Sequence, residues 1–113
     1  MLDDLTKQIV AFRDERDWKQ FHSPRNLATS ISIEAAELLE LFQWSSDATM
    51  ADDLEARRPD VQRELADILI YCLLLAEGAG IDPAAAIRAK LAENDAKYPT
   101  EKARGSRVKY TEL

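Results

Sequence analysis

Glu34-Ala35-Ala36-Glu37-Leu38-Leu39-Glu40, with Glu64-Leu65-Ala66-Asp67 further along, is the stretch on which the reading of this chain turns. Residues three apart on a helix share a side, their Cβ atoms about 5–6 Å apart. Glu34 and Glu37 therefore stand together beside an apolar stripe, Leu27, Ile31, Ala35, Leu38 and Phe42. Glu64 and Asp67 form a second such pair, directly ahead of the most apolar run of the chain, Ile68 to Ala76. Like charges held close to a core cost free energy unless a positive group joins them. Two helices each carrying such a pair can pool hard oxygen ligands, the kind magnesium prefers while keeping sites for water and phosphate oxygens. Glu40 continues the spacing but drifts round the cylinder toward a more outward position. Either pair by itself is common on a solvated helix face. Two pairs on the two most apolar helices carry more information.

Working outward, the spacing predicts four helices. The first covers about Leu2 to Arg16, with Leu2, Leu5, Ile9 and Phe12 at helical intervals and Asp3 and Asp4 at its positive end. Asp17 to His22 reads as a frayed end or turn. Ser23-Pro24 is an N-cap followed by proline at the first helical position, opening a second helix to about Trp44. The connection from Ser46 to Arg58 has a weak pattern, with room for one short helical turn. Pro59 starts the third helix, which runs to Glu77 and stops at Gly78 or Gly80. Its run from Ile68 to Ala76 is apolar nearly all round, which predicts the central helix of a bundle. Asp82-Pro83 caps a fourth helix ending before Tyr98-Pro99. The tail, about 100–113, lacks apolar periodicity and is expected to be an extended arm. The expectation is one all-α domain over residues 1–113.

At 113 residues, with few Gly and Pro, the composition suits such a domain. A chain this short buries only about two-thirds of its unfolded surface, so an oligomer interface would add useful core. The formal charge is −6, from 21 acidic and 15 basic residues. That balance opposes wholesale binding of nucleic acid polymers or anionic membranes, although a metal can reverse the field locally for a single nucleotide. The one cysteine, Cys72, lies in the apolar run and is expected to be a buried, inert thiol. The acidic start and the short apolar run carry no secretory or membrane-spanning signal, and a cytoplasmic setting is expected.

The combination of Glu34-x-x-Glu37-x-x-Glu40 and Glu64-x-x-Asp67 resembles the metal-binding motif of the all-α nucleotide pyrophosphohydrolases. This superfamily includes MazG-like enzymes, dimeric dUTPases and phosphoribosyl-ATP pyrophosphohydrolases. The match is closest to the small dCTP pyrophosphatase branch. It extends through Arg16-Asp17-Trp18-x-Gln20-Phe21-His22-x-Pro24-Arg25-Asn26-Leu27, Glu37-Leu38-x-Glu40-Leu41-Phe42-Gln43-Trp44, Asp67-Ile68-Leu69-Ile70-Tyr71 and Lys109-Tyr110-Thr111-Glu112-Leu113. The resemblance implies a four-helix MazG-like bundle completed by oligomerisation, usually a homotetramer built as a dimer of dimers. It implies Glu34, Glu37, Glu64 and Asp67 as ligands of Mg2+, with Mn2+ a possible substitute. Glu40 matches the third glutamate of the motif and joins the catalytic set as a secondary ligand or supporting group.

The implied reaction is hydrolysis of a deoxynucleoside triphosphate, dCTP or a modified dCTP, to the monophosphate and pyrophosphate, a nucleotide-pool cleansing step. Magnesium neutralises triphosphate charge and lowers the pKa of an attacking water, whose proton goes to a carboxylate, Glu37 or Glu40. Lys90, Asn94 and Lys97 share a face of the fourth helix; by spacing alone this is an ordinary solvated face. Lys90 and Asn94 match nucleotide-contacting positions of the family, and a lysine suits phosphate as an asparagine suits sugar or phosphate. Trp18, Phe21, His22 and Trp44 suggest a base pocket, and Arg25 is a further substrate-binding candidate; residues such as Trp18 and Phe21 are more often plain core. Tyr71, one turn after Asp67, is placed to pack under the sugar and exclude a ribose hydroxyl, and Tyr98 to close the pocket. Arg104 and Arg107 are weaker phosphate candidates from the tail. Two other functions compete: a broader or dUTP-directed pyrophosphatase, and a non-enzymatic helical module that binds nucleotides or a partner protein.

Overall fold

The two Ser/Asp-Pro signals do what their chemistry predicts. The Ser23 hydroxyl oxygen accepts the Asn26 N–H at 3.1 Å, and Asp82 Oδ1 accepts from the backbone of Ala84 and Ala85 at 3.0 and 3.2 Å. Each pairs donors that a helix start leaves unsatisfied, with proline just inside. A computed structural model describes residues 1–113, and every regular element in it is helical. In order these are α1 (Leu2–Glu15), α2 (Pro24–Glu40), α3 (Met50–Ala56), α4 (Arg58–Gly78), α5 (Pro83–Lys97) and α6 (Thr100–Ala103). Short 3-10 turns occupy Lys19–Phe21 and Tyr110–Glu112. No helix is long and apolar enough to cross a membrane.

The chain divides into two compact units, Met1–Gly80 and Ile81–Leu113. Within the first, α1, α2 and α3 all pack on α4, with α2 the main partner. The third predicted helix is therefore the central one of its unit. Its surroundings differ from expectation, however. Only Leu74 and Ala76 of α4 are buried, with Leu27 of α2, while Leu65, Leu69 and Ile70 lie exposed. Three neighbours cover only part of a helix that is apolar on every side. For the same reason Cys72, expected as a buried thiol, is exposed.

One buried charge joins α1 to α4. Arg13 is 4% exposed; Nε donates to Asp14 at 2.9 Å and Nη1 to Glu77 at 2.8 Å. The Asp14 hydrogen bond, then the Glu77 contact, raise the guanidinium pKa against the opposing effect of burial. A cation this enclosed is tolerable because two carboxylates meet it. Past the end of α1 the chain reverses at Asp17, whose φ of 55° is left-handed, and Gln20 Nε2 donates to both Asp17 O and Oδ2. Asn26 Nδ2 donates to Phe21 O at 2.9 Å, tying this corner to the start of α2. The φ of 68° at Gly80 turns the chain out of α4, a conformation that glycine adopts without steric cost.

The second helix ends at Glu40, earlier than Trp44, because the amides of Leu41, Phe42 and Gln43 bond three residues back and tighten the coil into turns. The polar connection holds a full short helix, α3. Ser46, Thr49 and Asp53 interlock ahead of and within it, Thr49 Oγ1 donating to Asp53 Oδ2 at 2.7 Å. Within the second unit the tail is not one extended arm. It contains α6 and the 3-10 turn, which brings Tyr110 edge-on to Tyr98, their ring centroids 5.9 Å apart. Lys97 Nζ stands 4.8 Å from the Tyr110 ring centroid and 3.1 Å from Glu93.

Candidate functional site

Packing of α2 on α4 sets the two acidic pairs against each other. Glu34, Glu37 and Glu64 each present a carboxylate oxygen, and these atoms lie within 4.8 Å of one another. Glu34 Oε2 and Glu64 Oε2 are buried and have no hydrogen-bond partner. The Glu34 carboxyl is pushed up to about 7, chiefly by the Glu64 carboxyl, then by burial, then by Glu37 and the charge of Asp67. Buried carboxylate oxygens without donors are costly, and a cation among them removes the penalty. The donor set, all oxygen and all acidic, fits a hard divalent ion. Asp67 acts on Glu34 through its charge but is outside the three-residue convergence. Glu40 is exposed and outside it as well. The helical drift read from spacing accounts for that position.

Beside this cluster a cleft of about 640 Å³ runs along α1 and α4. Asp67 and Tyr71 stand on its α4 side, Ile9, Phe12 and Arg13 on its α1 side, and Trp18 and His22 come from the corner between α1 and α2. Trp18 and His22, expected in a base pocket, and Tyr71, expected under the sugar, are thus brought together in one wall. Trp44 is 89% exposed, Arg25 and Phe21 are exposed too, and none of these three lines the cleft. For Trp44 the reason is local: the early end of α2 places it in a turn. His22 Nδ1 is buried without a hydrogen-bond partner. Burial first, and then the charges of Glu34, Asp67 and Glu37, raise the Tyr71 hydroxyl pKa and keep it a neutral donor. Trp18 meets Phe12 edge-on with centroids 5.9 Å apart, and the Arg16 guanidinium stacks 3.6 Å over Phe12.

The remaining expected residues, Lys90, Asn94, Lys97, Tyr98, Arg104 and Arg107, belong to the second unit. Lys90 and Lys97 share Glu93, at 3.3 and 3.1 Å. Asn94 and Tyr98 are half-buried, and both arginines are exposed. Sequence reasoning missed Gln8 and Arg13 in the cleft wall. Arg13 follows Ile9 by four residues and so falls on the apolar stripe, a polar residue where the pattern asks for an apolar one; that was the available signal.

Comparison with known proteins bears on what this arrangement serves. The family model described as MazG-like matches residues 29–113. The dCTP pyrophosphatase 1 of Rattus norvegicus is 42% identical over 114 aligned positions, covering 99% of this chain and 67% of that protein. Its Homo sapiens counterpart is 41% identical with the same coverage. Among solved structures, a pyrophosphatase from Archaeoglobus fulgidus superimposes with a TM-score of 0.83 at 47% identity, covering 86% of this chain and 91% of that one. A family match through α4 and α5, and relatives this similar over nearly the whole length, lead to one conclusion: the chain belongs to the MazG-like family.

Proposed function

We propose that the protein is a nucleoside triphosphate pyrophosphohydrolase acting on a deoxynucleoside triphosphate, dCTP or a modified dCTP, to give the monophosphate and pyrophosphate. The observation that carries this reading is the convergence of Glu34, Glu37 and Glu64 with two buried oxygens lacking partners. The relatives named for dCTP pyrophosphatase activity support the base, and the structural relative supports the reaction class.

Glu34, Glu37 and Glu64, with Asp67 beside them, would hold magnesium. When bound, the ion supplies positive charge to the triphosphate and promotes ionisation of the attacking water. Water adds to the α-phosphorus, the bond from that phosphorus to the bridging oxygen breaks, and pyrophosphate leaves. A carboxylate oxygen of Glu37 or Glu40 accepts the water's proton. Both are exposed, so that proton passes readily to solvent. The base lies in the cleft with Trp18, a flat face for stacking, and His22, a polar edge. Tyr71 packs under the sugar, while Lys90 and Asn94 bind phosphate and sugar oxygens. Trp44, Arg25, Tyr98, Lys97, Arg104 and Arg107 are secondary contacts in this proposal. Residues 1–113 are a single MazG-like domain on this reading, which a family match covering residues 29–113 supports.

The same proposal includes a homo-oligomer, a tetramer in the resemblance noted above, and a cytoplasmic setting. Leu39 of α2 is 71% exposed, and Ile33 and Leu65 are exposed too, a pattern suited to burial against further copies. The decisive experiment measures pyrophosphate release from a panel of ribo- and deoxynucleoside triphosphates with and without magnesium. Preferential, magnesium-dependent turnover of dCTP or 5-substituted dCTP is expected. No turnover of any triphosphate would remove the enzymatic reading, and preference for dUTP would move the base assignment alone.

A further inference from the structure

The cleft contains a cation that the reaction as described does not use. Arg13 is nearly fully enclosed, yet it lines the cleft beside Trp18 and His22. Two of its guanidinium nitrogens are committed, Nε to Asp14 and Nη1 to Glu77. Nη2 makes no hydrogen bond, and it is not among the sealed-off atoms that lack a partner. Two anchored nitrogens hold the plane of the guanidinium, so the third is a donor of defined direction at little cost in side-chain entropy.

The electrostatics decide which part of a nucleotide suits it. Arg13 carries one positive charge between two carboxylates, so the local sum is negative and gives no attraction for a triphosphate. A neutral acceptor is a better match. The cleft is bounded by the aromatic rings of Phe12, Trp18 and Tyr71, and its volume of about 640 Å³ lies within the usual span of small-molecule pockets. A second polar atom in the same wall, His22 Nδ1, is also without a partner. Flat apolar faces with two unmatched polar groups in the wall describe the surroundings of a heteroaromatic ring.

We propose that Arg13 contacts the nucleobase, Nη2 donating a hydrogen bond to a carbonyl oxygen or ring nitrogen on the edge of a base inserted in the cleft. This rests on the reading that a nucleoside triphosphate is hydrolysed with its base in that cleft. Asp14 and Glu77 act through Arg13 as positioning residues. The contact anchors the base through an acceptor on its edge and leaves the phosphates untouched.

The test uses full-length wild type, Arg13→Met and Arg13→Lys, measuring KM and kcat for dCTP. The inhibition constant of a base-free 1,2-dideoxyribose 5-triphosphate is measured in the same assay. Arg13→Lys keeps a positive charge between Asp14 and Glu77, so it preserves the fold if the methionine variant does not fold. Both folded variants are expected to raise KM for dCTP about tenfold or more, the cost of a hydrogen bond to a charged group. The inhibition constant of the base-free compound stays within about twofold on that account. Equal weakening of both ligands, or no change in either, overturns the assignment. Wild type failing to turn over any triphosphate overturns the functional reading itself, and this proposal with it.

Discussion

Glu34 concentrates the chemistry of the first unit in one side chain. Its carboxyl is pushed up to about 7 from an ordinary value of 4.5. The folded state therefore holds a proton that the unfolded chain has already released between those values, and metal-free stability falls as pH rises through that window. The melting temperature of metal-free protein is expected to be lower at pH 8 than at pH 6, and magnesium to raise it more at pH 8. A magnesium increment larger at pH 6 would contradict the cluster as described. Glu64→Gln replaces the carboxyl group whose contact with Glu34 raises its pKa most. It is expected to raise the metal-free melting temperature at pH 8 while lowering magnesium-dependent turnover at least about 100-fold. Unchanged turnover would take Glu64 out of the site.

At the scale of elements, α4 organises the first unit and also carries Glu64, Asp67 and Tyr71. The face that bears Leu74 is buried in the chain itself, whereas Leu69 is 53% exposed. Truncating Leu74 leaves a cavity, so Leu74→Ala is expected to cost about 2–5 kcal/mol in urea unfolding. A loss below about 1 kcal/mol would show that the neighbours collapse onto the gap and that the packing of α4 is looser than described. The elements also show what was legible beforehand. Helices α2 and α5 open where Ser23-Pro24 and Asp82-Pro83 predict, because a cap is a bond between neighbours in sequence. Helix α3 was weakly marked because its order comes from the Ser46–Thr49–Asp53 network and not from an apolar stripe. The early end of α2 followed from backbone bonds that no side chain announces.

For the whole molecule, the exposed apolar residues of α2 and α4 give the proposed assembly a test of its own. Sedimentation is expected to report a mass of several chains. Leu39→Lys places a charge on the exposed α2 surface away from the acidic cluster and should lower that mass. A wild-type monomer at micromolar concentration would reject the oligomer while leaving the metal cluster intact. Turnover of the dissociated Leu39→Lys variant, compared with that of the wild-type oligomer, would show whether one chain suffices for catalysis.

The sequence by itself determined the four long helices and the Ser23 and Asp82 caps, the acidic pairs at i and i+3, and the negative balance that disfavours polymeric nucleic acid. These depend on local spacing or on composition, which folding does not alter. Tertiary structure alone decided which carboxylates meet. Glu34, Glu37 and Glu64 converge, Asp67 stands beside them, and Glu40 does not join, because the rotation of α2 against α4 depends on packing along both helices. It also separated Trp18 and His22 in the cleft wall from Trp44, which motif matching had grouped together. Finally, it enclosed Arg13 between Asp14 and Glu77. A pairing across 64 positions of chain leaves no periodic trace, so only the folded arrangement of α1 on α4 reveals it.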